Sequence, residues 1–182
     1  MIPVTIRRAR QNDIPAVLRL LSQVLEIHAR IRPELFISGT TKYTAEELAE
    51  IFRSDETPVW VAEDDGGVAG YAFCVLKSVP FGNTMRPRRT IYIDDLCVDE
   101  NRRGAGIGEA LFRFVLAEGR RLGCADVTLA VWEGNDAALG FYQKMGMRAR
   151  ETIMEIDLNG SAPAASAATH GPKSNKENRN GG

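Results

Sequence analysis

IYIDDLCVDENRRGAGIGE, residues 91–109, runs from an apolar strand into a glycine-rich turn and on into an amphipathic helix. Glycines at 104, 106 and 108 let several backbone N–H groups approach an anion without side chains in the way, and the following helix adds the positive end of its dipole. The stretch therefore predicts a cradle for a polyphosphate-bearing ligand.

Spacing narrows the ligand. A nucleotide-binding Walker loop needs Gly-Lys-Ser/Thr where Ile107-Gly108-Glu109 stands, and a dinucleotide fingerprint needs glycine at 109. What fits is R-x-x-G-x-G, on Arg103, Gly106 and Gly108. The other reading of the glycines is a flexible strand-to-helix connection, although an ordinary connection needs fewer of them.

A second pattern lies downstream. VTLAV, residues 127–131, reads as a buried strand that exits through Trp132-Glu133-Gly134-Asn135. In NDAALGFYQKMGM, Ala138, Phe141, Tyr142 and Met145 fall at helical spacing, and Gly146 stands where a helix C-terminus favours glycine. Together the two patterns resemble the pyrophosphate motif and the N-x-x-A-x-x-F-Y segment of the GNAT superfamily of acetyl-CoA-dependent N-acetyltransferases.

Outside the motifs, a strand is expected over 4–7, a helix from 11 to about 25 on Ile14, Val17, Leu18, Leu21, Val24 and Leu25, and a short helix launched by the Thr44–Glu47 capping box. A hairpin over 59–76 turns at Asp64-Asp65-Gly66-Gly67. Further strands are expected over 89–98 and 125–131, helices over 106–122 and 135–145, and a half-exposed last strand over the alternating RARETIMEIDL, residues 148–158. The order matches the α/β (α+β) GNAT acyl-CoA N-acyltransferase fold, for which the resemblance implies a mixed, twisted sheet of about six to seven strands flanked by four helices.

A GNAT domain is thus expected over 1–158. The stretch 159–182 has exchanged aliphatics and aromatics for Ala, Ser, Asn, Gly and Pro, which predicts a disordered tail. Setting aside that tail's three basic residues and one acid leaves 20 basic and 23 acidic groups, an acidic balance that argues against a nucleic-acid substrate. Cys74, Cys97 and Cys124, odd in number and without C-x-x-C spacing, read as buried thiols of a reducing compartment. With no apolar leader and no run of apolar residues long enough to span a bilayer, a cytoplasmic protein without membrane association is expected. His28 and His170 lack ligating neighbours, so no metal is expected.

Several site assignments are implied by the resemblance. Acetyl-CoA is the co-substrate; its pantetheine arm lies along the backbone of Leu96, Cys97 and Val98, in a gap that GNAT proteins open with a bulge in this strand. Its pyrophosphate rests on Arg103, Gly104, Ala105, Gly106, Ile107, Gly108 and Glu109, and Asn135, Ala138 and Phe141 complete the cofactor contacts. Tyr142 matches the family's general acid. Asp94 and Asp95 are the candidates to bind a cationic amine, with Asp94 assigned its proton.

Within the superfamily the strand IYIDDLCV is similar to that of diamine and polyamine acetyltransferases, though Ile27-His28 replaces a tyrosine–acid pair expected at the end of the first helix. The reading is acetyl transfer to a small cationic amine by direct attack in a ternary complex. Acetylation of a protein N-terminus or lysine, and a non-catalytic acyl-CoA sensor, stay open beside it. The loop over 30–44 and the segment 78–88 are expected to wall the acceptor groove. A homodimer, common in the family, has a pairing edge in the alternating last segment.

Overall fold

A computed structural model describes residues 4–80 and 84–158. The expected disordered tail, 159–182, and part of the expected groove wall, 81–83, lie outside the described residues. The chain divides into two units, Met1–Gly146 and Met147–Gly182.

The first unit is built on a five-stranded sheet in the order β1 (Thr5–Arg8), β2 (Val59–Asp64), β3 (Gly67–Val79), β4 (Arg88–Val98) and β5 (Asp126–Leu129). The first four strands pair antiparallel and β5 joins β4 in parallel, so the sheet is mixed. The parallel pair requires a crossover, and α3 (Ile107–Arg121) supplies it. The remaining helices are α1 (Ile14–Ile31), α2 (Ala45–Ile51) and α4 (Asp136–Lys144). The capping box read at α2 forms: Glu47 N–H donates to Thr44 Oγ1 at 3.2 Å, and Thr44 N–H to Glu47 Oε2 at 2.7 Å.

Alternation along the strands divides the core between two helical layers. Val59, Val61, Tyr71, Phe73 and Cys97 pack with Val17, Leu20 and Leu21 of α1 and Leu48 of α2. On the opposite face Trp60 meets Phe114 of α3 edge-on, and Gly70 leaves room for Leu111, which a Cβ there would approach to 3.2 Å. Helix α3 buries Ile107, Leu111, Phe112, Val115 and Gly119.

The entry to α1 is fixed by a buried ion pair. Asp13, 6% exposed, accepts both terminal nitrogens of Arg7, at 2.7 and 2.9 Å, and the Arg10 N–H at 2.7 Å. Burial pushes its pKa up, but these hydrogen bonds outweigh burial and hold it below the ordinary value. The pair's stabilisation is therefore present above the unfolded-state pKa of about 3.9 and is lost as pH falls through the lower folded value. Asp13→Ala leaves the largely buried Arg7 guanidinium with Glu63 as its remaining carboxylate, at 2.8 Å, and is expected to cost about 2–3 kcal/mol in urea unfolding at pH 7, with a smaller deficit at pH 3.

In the second unit the described residues, 147–158, form neither helix nor strand, so the sheet has five strands where about six to seven are expected. Ile153, Met154, Ile156 and Leu158 are each more than 80% exposed. Period-two alternation marks a chain suited to an edge, but a strand exists only where a neighbouring edge supplies its ladder.

Candidate active site

The ladder between β3 and β4 pairs Cys74 with Ile93 and then Phe73 with Asp95, leaving Asp94 as the extra residue of a β-bulge. A bulge exchanges the two faces of a strand beyond it. Before it, Ile91 lies under α3, where a Cβ on Gly119 would touch it at 3.4 Å. After it, Asp95 and Cys97 face the α1 side: Asp95 Oδ2 accepts the Tyr71 hydroxyl at 2.9 Å, and Cys97 Sγ donates to the Leu20 carbonyl at 3.6 Å.

The same bulge ends the parallel pairing. Partners run from Thr90–Asp126 to Ile93–Leu129, and there β5 stops. Strand β4 continues through Asp94–Val98 beyond the end of β5, which leaves a slot between its last residues and the exit through Trp132.

At the mouth of the slot the chain turns through a short 3-10 segment, Glu100–Arg102, into α3. Of the two adjacent arginines, Arg102 is tied to Asp64 and the Gly67 carbonyl, bracing the β2–β3 hairpin. Arg103 stays exposed, its Nε donating to the Val98 carbonyl at 3.2 Å. Gly104 and Gly106 take φ of +81° and +84° with open space around a would-be Cβ, so backbone conformation alone demands glycine there. Gly106 is the N-cap of α3 and no side chain caps it. The N–H groups of Ile107, Gly108 and Glu109 therefore begin a helix whose first turn is free to take an anion. A Cβ on Gly108 would meet Val98 and Phe141 only in ordinary contact, at 3.5 and 3.6 Å, so interior packing does not require glycine at 108.

Helix α4 lies next to this turn. The Asn135 side chain caps it by accepting the Ala138 N–H at 3.3 Å, and Phe112, Phe141 and Tyr142 form an aromatic cluster with centroids 5.1 to 6.3 Å apart. Burial, and next the negative charge of Asp95, raise the pKa of Tyr142 well above that of a free phenol. The hydroxyl is thus a firmly protonated donor.

The two aspartates have diverged. Burial raises Asp95 to about 6, with the Tyr71 hydrogen bond working against the shift. Asp94 Oδ2 instead meets Lys42 Nζ at 2.6 Å, from the loop between α1 and α2. Glu26 organises that loop by accepting Ser38 Oγ and the Gly39 N–H, and Phe36 lies between His28 and Trp132, centroids 5.2 and 5.3 Å away. Burial, then the charge of Lys42, lower the His28 pKa, so the imidazole is neutral at pH 7.

Asp94, Asp95, Leu96, Cys97 and Val98 lie on the part of β4 that β5 does not pair; Arg103 to Glu109 lead into and begin α3; Asn135 caps α4, which carries Ala138, Phe141 and Tyr142. Burial pushes the Cys97 thiol up to about 12, so it packs as a neutral group. Sequence reasoning missed Lys42, Tyr43 and Tyr71. Tyr71 carried a signal, a hydroxyl in an otherwise apolar strand, whereas Lys42 and Tyr43 sit in a loop without periodicity. Among the described residues no cluster of His, Cys, Asp or Glu could hold a metal ion, and no helix is long and apolar enough to cross a membrane.

The acetyltransferase (GNAT) family profile matches residues 21–147, a span that takes in the bulged strand and the uncapped, glycine-led helix beside it. The chain belongs to the acetyltransferase (GNAT) family and is an acyltransferase. It is similar to glucosamine 6-phosphate N-acetyltransferase of Trypanosoma brucei brucei, with 27% identity over 87% of this chain and 98% of that protein. Similarity to thialysine N-epsilon-acetyltransferase of Bos taurus is 26%, over 79% of this chain and 83% of the relative. Among solved structures, a tetramutant of the BH1408 protein of Bacillus halodurans superimposes with a TM-score of 0.81 at 34% identity, covering 85% of this chain and 99% of that one.

Proposed function

We propose that the protein transfers an acetyl group from acetyl-CoA to a primary amine of a small cationic acceptor, by direct attack in a ternary complex. What supports this reading is the bulge at Asp94, just past the point where β5 stops pairing with β4, with Asp94 beside the Lys42 ammonium and Asp95 beside the Tyr71 hydroxyl. Acetyl-CoA supplies the acyl group as a thioester; the amine nitrogen forms the new C–N bond as the C–S bond breaks.

The chain's residues meet the two proton demands of that exchange. An alkylammonium with a pKa of about 10 costs roughly 4–5 kcal/mol to deprotonate at pH 7. The sequence assigned this proton to Asp94; because Asp94 holds a lysine and Asp95 has a pKa of about 6, we assign the proton to Asp95 and the anchoring of the ammonium to Asp94. Tyr142 donates its proton to the departing sulfur. The backbone of Leu96, Cys97 and Val98 takes the pantetheine arm, and residues 103–109 take the pyrophosphate. Asn135, Ala138 and Phe141 line the remaining cofactor path.

Thiol release from acetyl-CoA, measured with polyamines, aminoglycosides, amino sugars, amino acids and peptides, tests the reading. Turnover with a cationic small amine supports it; release with peptides alone would move the assignment to a protein acetyltransferase. Tight CoA binding without release from any acceptor would favour a sensor. Gly106→Ala, which forces a side chain into left-handed backbone, is expected to cost about 1 kcal/mol of stability and to weaken CoA binding about tenfold in calorimetry. A cytoplasmic homodimer belongs to the same proposal, supported by the β5 edge, which among the described residues pairs with β4 alone, and by the exposed Ile153 and Ile156.

A further inference from the structure

The acceptor side of the site already holds an ammonium, that of Lys42. Its Nζ donates to Asp94 Oδ2 at 2.6 Å and lies 5.4 Å from the centroid of the Tyr43 ring, while the charge of Asp95 also acts on it. Tyr43 is held in place by stacking on Phe73, which in turn meets Tyr71 edge-on. Two carboxylates and an aromatic face are what a primary ammonium needs when it leaves water: a charge-assisted hydrogen bond, a second attractive charge and a π surface.

Lys42 reaches this box at the end of four methylenes, from the loop between α1 and α2. The box is built from β4, the α1–α2 loop and the aromatic stack behind it, whereas Lys42 is a loop side chain that keeps 42% of its surface in solvent. Such a side chain is replaceable by another chain of the same chemistry.

Resting on the acetyl-transfer reading above, we infer that Lys42 is a tethered stand-in for the acceptor: the ammonium box receives a primary amine at the end of an unbranched alkyl chain, and that amine binds by displacing Lys42 from Asp94. Lys42 is then a specificity-determining residue. It raises the concentration of acceptor needed to fill the site and excludes amines that cannot match its hydrogen bond to Asp94.

The experiment compares the wild-type protein with Lys42→Met, which keeps the stem and removes the charge, and with Lys42→Arg, which keeps the charge. Calorimetric titration with 1,5-diaminopentane reads the box without any chemistry, and thiol release from acetyl-CoA reads turnover of the same amine. In Lys42→Met the diamine is expected to bind about three- to fivefold more tightly, the range set by a partly exposed ion pair, with a gain that shrinks as salt is raised. Lys42→Arg is expected to stay near wild type. Equal or weaker binding in Lys42→Met overturns the inference whether or not the protein turns the amine over. Tighter binding with no thiol release from any amine leaves the box and its lysine standing and removes the acetyl-transfer reading instead.

Discussion

Tyr142→Phe is expected to lower kcat for thiol release from acetyl-CoA by about 10²- to 10³-fold, within the range found for positioned general acids, while leaving CoA binding and thermal unfolding close to wild type. The ring makes the structural contribution: it packs against Phe112 and Phe141, and phenylalanine preserves those contacts. What disappears is the hydroxyl proton, held firmly by burial and by the charge of Asp95. Because the phenol does not titrate near neutrality, the wild-type enzyme should show no loss of rate between pH 7 and 9 that belongs to Tyr142. A variant with unchanged kcat would mean that the departing sulfur takes its proton from water. A variant that loses CoA affinity in proportion to rate would make Tyr142 a binding residue.

The order of elements was legible wherever one residue pattern implies one local geometry. The Thr44–Glu47 box and the glycines before α3 each serve the backbone within a few positions, and both appear where the pattern put them. The family resemblance supplied the bulge, which no count of apolar residues along β4 reveals, because Ile91, Ile93, Asp95 and Cys97 alternate without a break in the sequence. Only the register against β3 shows that the last two face the opposite way from the first two.

One expectation failed and one contact was missed for a common reason. The segment 148–158 carries a strand's alternation and forms no strand, and Lys42, in a loop without periodicity, reaches a carboxylate 52 positions away. In both cases the deciding partner is remote in sequence: an edge that supplies a ladder, or an acid turned toward the loop by a bulge. Local patterns report what a residue is suited to. They do not report what stands opposite it.

Asp95→Asn is expected to move activity and stability in opposite directions. Its carboxyl has a folded pKa of about 6 against an unfolded value near 3.9. The folded protein therefore holds the proton more tightly. Below pH 4 the group is protonated in both states and its neutral form is fully accommodated; between 4 and 6 the unfolded chain loses the proton first, and stability falls. Above 6 the folded state contains a desolvated carboxylate, a penalty of about 2–3 kcal/mol for a shift of this size. Asparagine removes the charge and its carbonyl can still accept the Tyr71 hydroxyl, so urea unfolding at pH 8 should show a gain of about 2 kcal/mol that vanishes at pH 4. With Asp95 as the proposed acceptor of the amine's proton, thiol release should fall by about 10²-fold or more, and the wild-type decline in kcat/KM below pH 6 should be absent from what rate remains. Unchanged turnover in a stabilised Asp95→Asn would transfer the proton to Asp94 or to water. Loss of both stability and activity would mean that the ionised carboxylate is needed to hold Tyr71, and that its desolvation is offset within the folded protein.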